Sequence, residues 1–568
     1  MWDLKVLYSN DRQWKESIAD LNQTIDKLSQ FEFGADTLEL DFSRIEHYSK
    51  NLDRLYTYGL LRREEEPSNK DIQRYIGQIR NLYQVFNSKI EAFKDLFFDK
   101  DNIIDIMNKN EKLKVYKAFF QQKVNNSVRM GDVEIEKLYK KISPKDEYIS
   151  WYSSFESIGK FKRNNSEERL TEENILKHLM MENQQHRKKA YESVETFLKQ
   201  NSDSASFFLN THYQLRNFSA KRSGFSHAYD MFVFNNIFNQ NSSDYFFQKN
   251  VIESVIGLHN EILQRKIKRN HLKSFTYSDI YYVKNNSKFE MSFDKAIDII
   301  LKSFKAQGEK FYGALKMAVK NDWIFYEQEQ SKHAGQRSIN CFEAHPFITV
   351  NWNNDFHNLF DLVHEISGAV SQWYAGQNGM FLYSELSILK TEFMSFLGTM
   401  YLIDYLMDNI KTSNERNIIF DTVDNFIRES LIVPFAHSVI EHDLYKKANE
   451  QQLQSDDISN IWYDVISKFH HVQKFEDMPI NRFNWVRHEH FYLDGYDFSY
   501  ILAFILAYKF HEQNKKLDLI VELLNEGERI SDEDFFNRLF GEIPSYDELL
   551  ISCVKDIKRR YYEKNFYL

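Results

Sequence analysis

Apolar side chains recur at spacings of three and four residues from Asp11 to about Lys141, with polar residues between them. The pattern is clearest at Trp14, Ile18, Leu21, Ile25 and Leu28. Because one face of an α-helix repeats every 3.6 residues, this spacing predicts a series of amphipathic helices. The same pattern predicts helix again up to Leu198, and from about Asp355 to the C-terminus.

One segment near the middle of the chain has a different pattern. Between Gln336 and Trp352, β-branched and aromatic residues surround Pro346, which predicts a short strand pair or an edge strand. The polar segment from Arg163 to Glu173 is predicted to be a surface connection. We therefore predict a mainly α fold with a small β-sheet insert.

The composition supports long helices and excludes several other classes. The chain has 17 Gly and 6 Pro, so the two together are 23 of 568 residues, whereas their usual combined share is about 12%. So few helix-breaking residues argue against a β-sandwich, a barrel or a glycine-rich nucleotide fold. Hydrophobic residues at 42% allow a large core, which excludes intrinsic disorder.

Charge and cysteine content predict partners and compartment. A net charge of −10 argues against binding to nucleic acid. No stretch has 18 uninterrupted apolar residues, so we expect no membrane partner. Two cysteines, Cys341 and Cys553, and a start without a signal-peptide pattern predict a reduced, cytoplasmic setting.

The strongest chemical signal follows the predicted strand segment. His364 and Glu365 form the first half of the motif His-Glu-x-x-His, in which two histidines one helical turn apart bind zinc. The Glu of that motif takes a proton from zinc-bound water. The second histidine is replaced here by Gly368. Glu392, on a later helical stretch, could fold back as a further ligand.

Two other groups carry histidines. His490, Tyr496 and Tyr500 form a late set of donors that could stabilise an oxyanion. The stretch from His437 to His442 looks like an inverted zinc motif, but its spacing is one residue too long. We therefore interpret that stretch as structural helix.

These segments resemble the oligoendopeptidase F and thimet oligopeptidase family of zinc metallopeptidases. The motifs that carry the resemblance are Trp2-Asp3-Leu4, Arg187 with Ala190-Tyr191, Arg222 with Gly224-Phe225, His345 to Asn351, Leu362 to Glu365, Glu392 to Ser395, Phe435 to Glu441, and His490 to Tyr500. The resemblance implies an all-helical zincin-like body whose deep internal channel admits short, unstructured peptides. It also implies an N-terminal helical region over residues 1–200 and a helical peptidase-like catalytic domain over 201–568.

The resemblance implies roles for individual residues. Glu365 would be the general base, and His364 and Glu392 would be zinc ligands. His490, with Tyr496 or Tyr500, would donate hydrogen bonds to the substrate or transition state. The segment that carries Phe347, Thr349 and Asn351 is similar to the strand that pairs with substrate in the family.

The chain departs from the family pattern at the position of the second histidine. With Gly368 there, the protein ligands fall from three to two, whereas catalytic zinc sites ordinarily use three. The glycine-alanine pattern of the substrate strand is altered to Ile339-Asn340. Asp361 and His357 are candidate substitute ligands, although Asp361 would move the metal away from Glu365.

These observations predict an oligoendopeptidase F-like protein that acts on short peptides. Zinc-dependent hydrolysis is predicted to be lost or much weakened, with zinc bound weakly or not at all. One alternative is an active zinc oligoendopeptidase with a rebuilt ligand set. Another is a peptide-binding pseudopeptidase, or a protein that modifies peptides without a metal.

Overall fold

A computed structural model of the chain is mainly α-helical with two small sheets, as the hydrophobic pattern predicts. The structure describes residues 2–28, 31–34, 36–66, 69–90, 93, 96, 100–129, 133–163, 166–172, 174–234, 238, 242–284, 291–326, 337–352, 354, 356–410, 412–470 and 481–563. The chain divides into two compact units. Unit 1 comprises Met1–Val128, Glu290–Tyr405 and Gln513–Gly541, and unit 2 comprises Arg129–Phe289, Leu406–Glu512 and Glu542–Leu568.

The elements up to residue 320 begin with six helices: α1 (Asp11–Lys27), α2 (Leu38–Glu65), α3 (Lys70–Lys89), α4 (Lys100–Lys109), α5 (Glu111–Lys114) and α6 (Lys117–Arg129). Next come α7 (Val133–Ile142), α8 (Pro144–Ser153), β1 (Gly159–Arg163), β2 (Ser166–Leu170), α9 (Ile175–Leu179), α10 (Gln184–Arg222), α11 (Ala228–Phe234), α12 (Lys249–Arg269), α13 (Phe293–Phe304) and α14 (Glu309–Lys320).

The remaining elements contain the candidate site residues. They are β3 (Ile324–Phe325), β4 (Arg337–Ile339), β5 (Phe347–Thr349), α15 (Phe356–Gly376), α16 (Ile388–Asp408), α17 (Ser413–Ile427), α18 (Val433–Glu450), α19 (Ser455–Phe469), α20 (Tyr496–Glu512), α21 (Asp518–Leu524), α22 (Asp532–Phe540) and α23 (Tyr546–Ile557). A π-helical turn over Arg428–Ile432 joins α17 to α18, and 3₁₀ turns at Asn484–Arg487 and Glu489–Tyr492 precede α20.

The apolar face predicted near the N-terminus is buried in unit 1. Trp14, Ile18, Leu21 and Ile25 all lie inward on α1 and belong to one hydrophobic core. Helix α15 is apolar around most of its circumference, since Leu362, Val363 and Ile366 are fully buried. A helix with so wide an apolar surface is buried inside its unit, and the packing around it holds its few polar side chains in place.

A three-stranded sheet in unit 1 confirms the strand pair predicted between Gln336 and Trp352. Strand β5 is central, with β4 antiparallel on one side and the two-residue β3 parallel on the other. Ile348 of β5 pairs with Ser338 of β4 on one side and with Ile324 of β3 on the other. Both edges of β5 are therefore occupied by neighbouring strands.

In unit 2 one expectation about the connecting segments is wrong in part. The described residues of the polar segment from Arg163 to Glu173 are mostly exposed, as expected of a surface connection, but they include β2, which pairs antiparallel with β1. Only Leu170 of β2 is buried, so the strand has little apolar pattern to reveal it. No helix among the described residues is long and apolar enough to span a membrane.

The division into units does not follow the boundary predicted at residue 200. That residue lies inside α10, a helix of 39 residues within unit 2. Each unit is built from three separate stretches of chain, which a sequence boundary cannot express. As a division between functional regions, 1–200 and 201–568 stays a prediction.

Candidate functional site

The zinc-motif residues of unit 1 lie on two helices, α15 and α16. His364 and Glu365 are in the middle of α15, and Glu392 is in the second turn of α16. His364 Nε2 lies 3.2 Å from Glu392 Oε2, with side chains 22% and 17% exposed. The start of α16 is fixed by the buried Lys390, whose Nζ donates to Glu528 Oε1 at 2.9 Å. The structure thus brings His364 and Glu392 together, as the family resemblance implies.

Gly368 lies one turn after His364, where the family has its second histidine. It is buried, and a Cβ added there would lie 2.7 Å from Ser395 Oγ and 3.4 Å from Thr391 Cγ2 of α16. The first distance is shorter than van der Waals contact, so a side chain at 368 requires Ser395 to move. Its neighbour Ser367 is buried against Gly398, where an added Cβ would lie 2.7 Å from the Ser367 Cβ. Helices α15 and α16 therefore approach closely around the replaced histidine.

Carboxylates control the protonation of His364. Burial alone would lower the pKa of its imidazole, but the hydrogen bond and charge of Glu392 outweigh burial and raise it. Glu365 and Asp361 add to that rise. Burial also raises the pKa of the Glu365 carboxyl, despite the opposing charge of His364 and a backbone hydrogen bond from Ser338. The cluster therefore favours an imidazolium paired with Glu392.

The pair His364 and Glu392 is not part of a close group of three metal-binding donors among the described residues. Among the described residues, the one group with three His, Cys, Asp or Glu donor atoms within 4.8 Å of one another does not include His364 or Glu392. Asp361 is close enough for its charge to act on His364, and His357 lies a further turn back on α15. His364 and Glu392 are thus the motif residues that the structure brings together, and Gly368 adds no donor atom to them.

The residues predicted to bind substrate do not all suit that role. Phe347 is fully buried and Thr349 is 4% exposed on the central strand β5. Both edges of β5 are paired with neighbouring strands, which leaves no free backbone edge there for a peptide, and a substrate-binding role for these residues stays a prediction. Asn351 follows the strand and is half-buried. Strand β4 lies at the edge of this sheet, and the backbone of its Ser338 makes a hydrogen bond with the Glu365 carboxylate.

In unit 2 the late histidine and tyrosines form one group of neighbouring rings. The rings of His490 and Tyr496 have centroids 4.6 Å apart, and those of Tyr496 and Tyr500 are 5.9 Å apart and nearly parallel. Tyr496 and Tyr500 are one turn apart at the start of α20, so they share a face. Gly495 precedes them with φ +68°, a conformation that favours glycine, and its N–H donates to Glu441 Oε1 at 3.1 Å.

Asp497 is the centre of a second donor cluster in unit 2. His488 Nε2 lies 3.2 Å from its Oδ2, and His490 Nδ1 lies 3.0 Å from its Oδ1. His437 Nδ1, from α18, lies 3.8 Å from Oδ2. Burial would raise the pKa of the Asp497 carboxyl, but the hydrogen bonds from His488 and His490 hold it below its ordinary value.

The pKa values of His437 and His488 shift in the opposite direction to that of His364. Burial lowers the pKa of His488, although Asp497 opposes that change. Burial and the neighbouring His488 lower the pKa of His437 well below its usual value. Sequence reasoning interpreted His437 as a structural helix residue and gave Asp497 no role. The available signal was the pair His488 and His490 close to an acidic residue at the start of a helix.

Comparison with known proteins identifies the class. The model of Peptidase family M3 matches residues 177–554, and the chain belongs to that family. The chain is 23% identical to Oligopeptidase PepF of Bacillus subtilis, an alignment that covers 97% of this chain and 85% of that protein. It is 21% identical to an oligoendopeptidase F homologue of Lactococcus lactis, over 89% of this chain and 86% of that one.

Solved structures agree with this assignment at the level of fold. The crystal structure of oligoendopeptidase-F from Enterococcus faecium superposes with a TM-score of 0.69 at 17% identity. The superposition covers 97% of each chain. The resemblance to the oligoendopeptidase F family is therefore confirmed, and the fold is that of an oligoendopeptidase F-like member of family M3.

Proposed function

We propose that this chain binds short peptides and that its zinc-dependent peptide hydrolysis is lost or much weakened. The observation that supports this most is Gly368, which has no donor atom where the family places its second histidine. His364 and Glu392 remain as the two protein ligands, and their side chains contact each other, with Nε2 and Oε2 3.2 Å apart. Loss of a ligand costs more than loss of a group behind it, which typically costs about 10–100-fold in metal affinity or activity.

Peptide binding is the part of the family function that Gly368 does not affect. We propose that an extended peptide pairs with β4, because its sheet partner β5 covers only one of its edges. Ser338, which bonds to Glu365, lies on this strand. In unit 2, His490, Tyr496 and Tyr500 keep the role that the family resemblance implies: we propose them as hydrogen-bond donors to the substrate or transition state, and their side chains are half-buried.

A rebuilt ligand set is a second candidate, and one observation favours it. The charge of Asp361 acts on His364, so this carboxylate is near the imidazole. With Asp361 as third ligand, the chain would be an active zinc oligoendopeptidase.

The third alternative is a metal-independent modification of peptides. A peptide that is recovered uncut but with a changed mass after incubation with the protein would support it.

The test is hydrolysis of short internally quenched peptides with zinc present, followed by mass spectrometry of the products. We expect wild type to hydrolyse them no faster than Glu365→Gln does, and to bind the same peptides in a fluorescence anisotropy titration. Glu533→Gln, at an exposed position of unit 1, is the matched control. Fast hydrolysis that Glu365→Gln abolishes would contradict the proposal, and further loss in Asp361→Asn would identify the rebuilt set.

A further inference from the structure

Three donor side chains of unit 2 converge on a single point. His437, His488 and Asp497 each offer one ligand atom, and these atoms all lie within 4.8 Å of one another. Asp497 Oδ2 is 3.2 Å from His488 Nε2 and 3.8 Å from His437 Nδ1. We propose that His437, His488 and Asp497 bind a divalent transition metal ion such as zinc, at a site separate from the family motif on α15.

The distances suit such an ion. Zinc bonds to imidazole nitrogen and carboxylate oxygen are about 2.0–2.2 Å long, which places neighbouring ligand atoms of a tetrahedral site roughly 3.3–3.5 Å apart. The two measured separations lie on either side of that value, so small side-chain rotations complete the geometry. Two imidazoles and one carboxylate are also a donor set that first-row divalent metals accept.

The surroundings hold the carboxylate ligand in place. Asp497 is 3% exposed, in the first turn of α20, and its second oxygen, Oδ1, lies 3.0 Å from His490 Nδ1. A hydrogen bond to the non-ligating oxygen is the arrangement that orients carboxylate ligands in metal sites. His490 thus supports the site without being counted as a ligand.

The two imidazoles have packed positions on separate elements. His437 lies in the second turn of α18, with the ring of Trp462 5.3 Å away. His488 follows the 3₁₀ turn Asn484–Arg487, and its ring centroid is 4.0 Å from that of His437. A site built on helices and packed rings is preorganised, so little ordering is needed when an ion binds.

An ion can reach this point through a cavity of unit 2. His437 and His488 line a cavity of about 470 Å³, and their side chains are 10% and 16% exposed. The π-helical turn Arg428–Ile432 forms part of the same wall. A metal bound by three protein groups here would have room for water or a small ligand as its fourth.

The test is a titration of chelator-treated full-length protein with zinc chloride, followed by cobalt chloride as a spectroscopic probe. We expect about one equivalent of zinc to bind, and cobalt to give visible bands of a four-coordinate nitrogen and oxygen site. His488→Gln and His437→Gln are expected to weaken binding about 100-fold or more, since each removes a ligand. The matched control is His47→Gln, at an exposed histidine of unit 1, which is expected to leave this binding unchanged. His364→Gln is measured beside it to separate the two candidate sites, and circular dichroism checks the fold of each variant.

Each result decides between the sites. Absence of zinc and cobalt binding in wild type would overturn this inference and leave the proposed function intact. If wild type binds one equivalent of zinc that is lost in His364→Gln but kept in His488→Gln, the unit 2 site is overturned. The same result would also contradict the proposed function, which expects weak zinc binding at His364. Two equivalents, with one lost in each variant, would support the unit 2 site while contradicting only the proposed function. Cobalt binding in wild type with octahedral, water-like bands would also count against the inference.

Discussion

The two histidine clusters of this chain are opposites in composition. In unit 1, His364 is one imidazole among carboxylates, Glu392 nearest at 3.2 Å, and its pKa is raised. In unit 2, Asp497 is one carboxylate among imidazoles, and the pKa values of His437 and His488 are lowered. The two clusters therefore differ both in the ratio of imidazoles to carboxylates and in the direction of the histidine pKa shifts.

This difference shows that family membership and the location of donors are separate questions. The family match covers both clusters, since residues 177–554 include α15 and α20. Yet the motif helix carries His364 and Glu365 and has Gly368 where the family resemblance leads us to expect a histidine. A shared fold therefore does not by itself determine the chemistry of a site.

The largest effect is expected from removing the charge at the centre of the unit 2 cluster. Asp497→Asn keeps the side-chain shape but weakens the hydrogen bonds of His488 and His490. Hydrogen bonds to charged groups contribute about 1.5–3 kcal/mol each, so we expect a loss of about 3 kcal/mol in the free energy of unfolding. Urea unfolding in the presence of a chelator measures it.

Asp456→Asn is the control for that variant, because Asp456 is exposed at the start of α19. Its effect is expected to stay within about 0.5 kcal/mol. An equal and small loss in both variants would show that Asp497 does not hold the cluster together, and would remove the contrast with unit 1.

The next effect tests whether the unit 1 cluster lacks only one ligand. Gly368→His combined with Ser395→Ala restores the histidine and removes the hydroxyl that lies 2.7 Å from an added Cβ. We expect zinc affinity at this site to rise at least about tenfold, which corresponds to about 1.4 kcal/mol. Zinc titration of the double variant in a His488→Gln background isolates the site in unit 1.

Gly368→Ala combined with Ser395→Ala is the matched control, since it fills the same space without a donor. If the control gains as much zinc affinity as the histidine variant, the missing ligand is not the cause of weak binding. If neither gains any, the geometry of His364 and Glu392 has changed further than Gly368 alone explains.

The helical part of the fold could be predicted because it depends on local pattern. Trp14, Ile18 and Ile25 face the core as their spacing predicts, and the strand segment around Pro346 forms β4 and β5. The hairpin of β1 and β2 was missed because its residues are mostly charged and exposed. Strand β3 has two residues, too few for any periodic signal.

The candidate sites could be predicted only where a motif marks them. His364 and Glu392 were recognised from a known pattern, and the structure brings them together. The cluster of His437 and Asp497 depends on α18 meeting α20, elements joined by a long stretch of chain. Likewise, β5 lies between β4 and the two-residue β3, which the sequence pattern does not reveal. The sequence therefore could not show that the strand carrying Phe347 and Thr349 has both edges paired.

The smallest effect is a difference in pH dependence between the clusters. The raised pKa of His364 means that its contribution to stability is fully present below pH 6.5 and is lost as the pH rises through the folded value. The lowered pKa of His488 means that its contribution is present above pH 6.5 and is lost as the pH falls through the folded value. Substituting each histidine by glutamine removes its own contribution alone.

We therefore expect two stability differences that slope in opposite directions with pH. The difference between wild type and His364→Gln should shrink from pH 6 to pH 8, because the imidazolium paired with Glu392 loses its proton. The difference between wild type and His488→Gln should grow over the same range, because the neutral imidazole beside Asp497 is favoured there. Urea unfolding with chelator, at pH steps on either side of 6.5, measures both, and each variant serves as the control for the other. Parallel slopes would mean that the carboxylates around His364 and the imidazoles around Asp497 do not set opposite protonation states.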